Sequence, residues 1–103
     1  ESKSNILVVD DNPDKLNLIK AALNLAGYNV TTATDGDEAL AAIESFQPDL
    51  VITDVMMPRM NGYELAQRIR ANPITKFIPV IMQTAAGRRS EDLRRANEAG
   101  ALG

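Results

Sequence analysis

Two apolar runs in this 103-residue chain end on carboxylates. Leu50, Val51 and Ile52 read as a strand buried on both faces that leads into Asp54, and residues 6–9 lead into the adjacent pair Asp10 and Asp11. A lone aspartate after a strand is ordinarily a turn former. Two such strand ends, with three carboxylates between them, point to a site. Carboxylates in close reach repel one another and hold some protons on unless a cation is present. Oxygen ligands in small number suit Mg2+, which keeps several waters and takes one or two carboxylates together with phosphate oxygens. A carboxylate is also among the side chains that attack phosphorus, giving an aspartyl phosphate. Phosphoryl transfer asks a protein chiefly for positioning and charge neutralisation, and three aspartates supply both.

Composition removes several other chemistries. The chain has no histidine and no cysteine, which excludes Ser-His-Asp triads, imidazole or thiolate metal sites, disulfides and any phosphohistidine of its own. Fourteen acidic against eleven basic residues give a net charge of -3, so there is no general attraction to nucleic acid or to an anionic membrane surface. No apolar run approaches the roughly 20 residues that span a bilayer, and no signal-peptide layout is seen, so a cytoplasmic location is expected. Neither a P-loop nor a dinucleotide-binding glycine pattern occurs. With 45% hydrophobic residues, the length fits one domain with a real core.

The elements that must position the aspartates follow from two alternating periodicities. Residues 6–9 form a first strand. Asn12 then caps a helix with Pro13 at its first position, Leu16, Ile19, Ala22, Leu23 and Ala26 facing inward and Gly27 as the stop. Residues 28–33 alternate apolar and polar, the mark of a half-exposed edge strand. Asp35 caps a second helix with Ala39, Leu40, Ala42, Ile43 and Phe46 inward, ended by Gln47-Pro48. After the strand that exits at Asp54, Asn61 and Glu64 form a capping pair for a helix burying Leu65, Ala66 and Ile69. A loop over 71–78 leads to a fourth strand over 80–84, and Ser90 caps a last helix with Leu93, Ala96 and Ala99 inward and Gly100 as its stop. No linker, repeat or low-complexity segment interrupts the series.

Alternating strands and helices predict an α/β fold with a parallel sheet and right-handed crossovers. The second strand belongs at an edge and the first, third and fourth read as fully buried, so the expected order is 2-1-3-4. That is the flavodoxin-like winding, whose ligands bind beyond the carboxyl ends of the strands where the order reverses. Asp10, Asp11 and Asp54 sit at those ends, and Thr84 ends the neighbouring strand.

Three stretches carry a family resemblance. Val8-Val9-Asp10-Asp11, Asp54-Val55-Met56-Met57-Pro58-Arg59-Met60-Asn61-Gly62 and Pro79-Val80-Ile81-Met82-Gln83-Thr84-Ala85 resemble, in order and spacing, the CheY-like receiver domain of two-component response regulators. The resemblance implies a signalling domain, not an enzyme, that promotes its own phosphorylation and dephosphorylation. It makes Asp54 the phosphoacceptor and Asp11 a direct Mg2+ ligand, with Asp10 acting mostly through a metal-bound water and the Met56 backbone carbonyl completing the set. Thr84 would carry its hydroxyl toward the phosphoryl oxygens, and small Ala85 would leave them room. The donor would be a phosphohistidine on a histidine kinase or phosphotransfer protein, and the output a fused effector domain or a separate protein.

One departure stands out. The family places a Lys, usually followed by Pro, at the end of a fifth strand, whereas the lysines here are Lys3, Lys15, Lys20 and Lys76, all ahead of Thr84. The expectation is a receiver domain over 1–103 cut short at its C-terminus, without the fifth strand, the fifth helix, that Lys and the aromatic switch residue. It would leave an apolar, aggregation-prone edge on the fourth strand.

Other features have plain readings. Arg88, Arg89, Arg94 and Arg95 read as a solvated helix face rather than a stand-in for the Lys. Met56, Met57 and Met60 read as core and loop packing rather than the lining of a partner groove. Asn12, Lys15 and Leu16 lie beside the acidic site, where a kinase helix could meet them. Two functions from other classes share the winding. A flavin carrier would need a phosphate loop that Asp10-Asp11-Asn12-Pro13-Asp14 does not offer. An interaction module that is never phosphorylated would use the fold as a surface only.

Overall fold

The computed structural model describes residues 3–57 and 59–83. Its elements run β1 (Asn5–Val9), α1 (Pro13–Leu25), β2 (Asn29–Ala33), α2 (Gly36–Phe46), β3 (Leu50–Asp54), α3 (Gly62–Ala71) and β4 (Val80–Gln83). The sheet is parallel, in the order β2-β1-β3-β4, as the periodicities require. β2 lies at the edge, its first residue exposed and its next three half-buried.

Local chemistry sets the helix boundaries. The Asn12 side chain accepts from the backbone N–H groups of Asp14 and Lys15 ahead of Pro13. At the other end of α1, Gly27 has φ +98°, and the Tyr28 and Gly27 N–H groups donate to the Leu23 and Asn24 carbonyls. That pair of bonds is a Schellman close, which needs a left-handed residue. Asp35 caps α2, and Asn61 and Glu64 close a reciprocal capping box on α3.

The two faces of the sheet are covered unequally. Leu7, Val9, Val51, Val80 and Met82 face α2 and α3 and are buried with Ala39, Ile43, Leu65, Ala66 and Ile69 in one cluster. On the opposite face Leu16 of α1 buries Ile6 and Val8, while Ile19, Leu23, Val30, Leu50 and Ile52 are only half-buried around them. This corrects the expectation that β3 and β4 are buried on both faces: Leu50, Ile52 and Ile81 keep part of their surface. Among the described residues, α1 packs chiefly over β1 and β2, and Leu50 and Ile52 meet only the margin of the cluster around Leu16. Ala22 and Ala26, expected inward, are exposed. At 3.6 residues per turn Ala22 stands roughly 100° around the helix from the line through Leu16, Ile19 and Leu23, and Ala26 is already the cap. The expected helix from Ser90, with Leu93, Ala96, Ala99 and Gly100, lies outside the described residues, as do Arg88, Arg89, Arg94 and Arg95.

Candidate functional site

Register explains why the aspartates meet. Val9 pairs with Thr53 across the β1–β3 ladder, so the next step along each strand sets Asp10 beside Asp54. Parallel neighbours lie about 4.8 Å apart and side chains alternate between faces, so both residues continue the face that carries Ile6, Val8 and Ile52. Asp10 stays in line because its N–H donates to the Ala33 carbonyl at 3.1 Å, extending the ladder past the end of β1. One carboxylate oxygen from each of Asp10, Asp11 and Asp54 lies within 4.8 Å of the others.

The three carboxyl groups differ in environment. Asp10 is 1% exposed, and its Oδ1 accepts from the Asn12 N–H at 3.0 Å in a tight turn. Among the described residues its buried Oδ2 has no hydrogen-bond partner. The Lys15 ammonium lies 3.2 Å from that oxygen as an ion pair without hydrogen-bond alignment. Asp11 is exposed and Asp54 is half-buried. Burial, and then the Asp10 charge, raise the Asp54 pKa above the ordinary carboxylate value. Lys15 and the backbone N–H groups of Val55 and Met56 pull it back toward the charged form.

The turn after β3 is packed tightly enough to fix where Asp54 ends. The Gly62 N–H donates to the Val55 carbonyl at 2.8 Å, folding the loop back on the strand. A Cβ at Gly62 would stand 2.4 Å from the Asp54 carbonyl oxygen and 2.9 Å from Met82 Sδ, so only glycine permits that approach. The loop is tied to α2 where Arg59, at φ +69°, pairs with Asp35 at 2.6 Å and Met60 lies against Gly36. Met57 and Met60 are buried, as expected, whereas Met56 is 69% exposed. That corrects the packing expected of Met56.

Thr84 and Ala85 lie outside the described residues. Among those described, the structure brings Asp10, Asp11 and Asp54 together with Met56 two residues beyond Asp54. The residue that sequence reasoning undervalued is Lys15, placed there beside the acidic site as a surface a kinase helix could meet and not as an ion partner of Asp10. Its signal was available: it precedes Leu16, the buried residue of α1, and so stands on the side of the helix start that faces the end of β1.

The description "response regulator receiver domain" fits residues 6–103 of the chain as a family model. The chain belongs to the response regulator receiver family. Among relatives of this receiver domain, the DNA-binding dual master transcriptional regulator RpaA of Synechocystis is 38% identical over 89 residues, which is 86% of the chain and 37% of that protein. The alkaline phosphatase synthesis transcriptional regulatory protein PhoP of Bacillus subtilis is 41% identical over 80 residues, 78% of the chain and 32% of that protein. The receiver domain thus spans about a third of the length of these relatives. Among solved structures, the chemotaxis protein CheY4 of Vibrio cholerae superposes with a TM-score of 0.88 at 34% identity, covering 99% of the chain and 84% of CheY4. Among the described residues, no helix is long and apolar enough to cross a membrane.

Proposed function

We propose that this receiver domain is a phosphoacceptor, with Asp54 taking a phosphoryl group from a phosphohistidine on a histidine kinase or phosphotransfer protein. The observation that carries the reading is the meeting of three carboxylates at the ends of β1 and β3, one of them buried. A structural cluster would balance its charges; this one sets three carboxylates against the single ammonium of Lys15 and leaves Asp11 open to solvent. The donor set is all oxygen and fits Mg2+, held by Asp11, Asp54 and the Met56 carbonyl, with Asp10 acting through water. The ion would neutralise charge on the phosphoryl oxygens.

The chain's own residues do the rest. A carboxylate oxygen of Asp54 attacks phosphorus, and the new P–O bond forms as the P–N bond breaks. The electron pair leaves on the donor's imidazole nitrogen. Asp54 must be ionised to attack, so the neighbours that draw it toward the charged form, Lys15 and the Val55 and Met56 N–H groups, assist the step. Thr84 and Ala85 are proposed to receive the phosphoryl oxygens and signal to an output surface, as a regulatory domain of a longer cytoplasmic protein. A fifth strand and helix carrying the Lys after Gly103 belong to the same proposal.

The test is intact-mass analysis of the chain, as written and extended by a fifth strand and helix, after treatment with acetyl phosphate. A single phosphoryl adduct is expected only with Mg2+ and is lost in Asp54→Asn. An adduct that persists in Asp54→Asn overturns the assignment, and no adduct on either form with Mg2+ present turns the reading to an interaction module.

A further inference from the structure

The Lys15 side chain stands beside the proposed ligand set without belonging to it. α1 is capped by Asn12, whose side chain accepts from the N–H groups of Asp14 and Lys15, so Lys15 leaves the first turn at a fixed position. Leu16, next along, is the residue that α1 buries on Ile6 and Val8. Asp10 continues that same face of β1 past Val8. Helix start and strand end therefore converge, and the ammonium reaches Asp10 Oδ2 at 3.2 Å. The pair is lopsided: the Asp10 side chain is 2% exposed and that of Lys15 is 45% exposed. Asp10 Oδ2 has no hydrogen bond, so this ammonium is what compensates a buried negative charge.

We propose that Lys15 is the resident counter-ion of the carboxylate cluster, a tethered cation that competes with a divalent ion and sets the concentration at which the site loads. The inference rests on the metal reading of Asp10, Asp11 and Asp54 and adds a residue outside that ligand set. Three carboxylates carry three negative charges and Lys15 returns one. A divalent ion entering the cluster meets the ammonium as a like charge at close range, in surroundings where such contacts are poorly screened. Lys15 is the partner able to move. Its four-carbon stem is flexible, its head is strongly hydrated, and nearly half of its surface already lies in water. Asp10 cannot follow, because the Asn12 N–H holds Oδ1 and the Ala33 carbonyl holds the backbone. The metal-free and loaded states therefore differ in where Lys15 sits, and a Mg2+ ion that enters works against a cation supplied by the protein itself.

The competition makes two predictions of opposite sign for Lys15→Gln. The metal-free chain loses the compensation of a buried carboxylate, so its urea midpoint falls. Mg2+ binding, followed by calorimetric titration, tightens roughly fivefold, the upper range of a half-exposed single-charge contact. Lys15→Arg keeps the cation and leaves affinity within about twofold of the unsubstituted chain. Lys20→Gln removes the same charge from an exposed position on α1 and leaves Mg2+ affinity unchanged. Unchanged or weaker Mg2+ binding in Lys15→Gln overturns the proposal, and equal tightening in Lys20→Gln overturns it in favour of net charge alone. Failure of the unsubstituted chain to bind Mg2+ overturns the metal reading itself, a result that no comparison between variants could mimic.

Discussion

Two aspartates bracket β3, and the fold treats them in opposite ways. Asp49, just ahead of the strand, accepts from the Asn5 N–H at 2.8 Å while its own N–H donates to the Asn5 carbonyl at 2.7 Å. The Asn5 side chain in turn donates to the Phe46 carbonyl and accepts from Asn29, so the amino ends of β1, β2 and β3 are laced together by satisfied polar groups. Asp54, at the other end of the same strand, faces two more carboxylates, and burial and then Asp10 raise its pKa above the ordinary value. One end uses a carboxylate to fasten strands; the other collects carboxylates that disfavour one another. A charge crowded against its own kind adds nothing to the fold, which is the pattern expected of residues kept for chemistry.

The largest effect expected from this contrast is on metal binding. Asp11→Ala removes an exposed carboxylate from the cluster and should weaken Mg2+ roughly a hundredfold, the range that metal sites lose when key support is removed. Asp49→Ala, the same change at the opposite end, should leave Mg2+ affinity unaltered. Calorimetric titration of both variants checks this. Weak loss in Asp11→Ala would mean that the carboxyl ends of the strands are not the site.

Next comes the backbone that aims Asp54. Gly62→Ala drives a methyl group against the Asp54 carbonyl oxygen and Met82 Sδ, an overpacking that should cost about 1–3 kcal/mol in urea unfolding. Its diagnostic feature is a second loss. Mg2+ affinity should fall as well, because the clash bears on Asp54 itself. If stability falls with Mg2+ binding intact, the loop fixes the core but not the site.

A smaller effect belongs to the fastened end. Asp49→Ala leaves the Asn5 N–H to water at an exposed position and should lower stability by about 1 kcal/mol or less. The loss should be the same with and without Mg2+. A Mg2+-dependent loss would couple the two ends of the strand and blur the contrast between them.

Much of this was legible in the sequence because strand ends and helix caps are local. Asn12 before Pro13, Asn61 with Glu64 and Gly27 after α1 each announce a boundary through a side chain or a φ that few residues tolerate. Those boundaries fix the strands, and the strand order brings Asp10, Asp11 and Asp54 together without any knowledge of distance. What stayed hidden depends on how far one helix reaches across a sheet. The half-exposure of Leu50, Ile52 and Ile81 cannot be read from apolar runs, because the runs record residue type and not the width of the covering helix. The Lys15–Asp10 pair spans a strand end, a turn and a helix start, so no single periodicity contains it. Met56 is a packing residue by type, yet it is largely exposed.

The smallest effect, and the one that tests the contrast most sharply, is the stability of Asp54→Asn without metal. Its folded-state pKa lies above the unfolded value of 3.8, first through burial and then through Asp10. As pH rises past the unfolded value, the unfolded chain releases this proton first, so the folded state binds more protons and stability falls with pH. The decline ends once pH passes the folded-state value, leaving a constant deficit at neutral pH that is absent in acid. Asparagine cannot ionise, so Asp54→Asn should be the more stable chain at neutral pH and lose that advantage as pH drops through the folded-state value. Saturating Mg2+ should reverse the order, because an ion that binds only the folded state stabilises the chain that holds it better. Urea midpoints over a pH series, with and without Mg2+, give all three results from one set of curves. If Asp54→Asn is instead less stable at every pH, Asp54 fastens the fold as Asp49 does, and the two ends of β3 are alike after all.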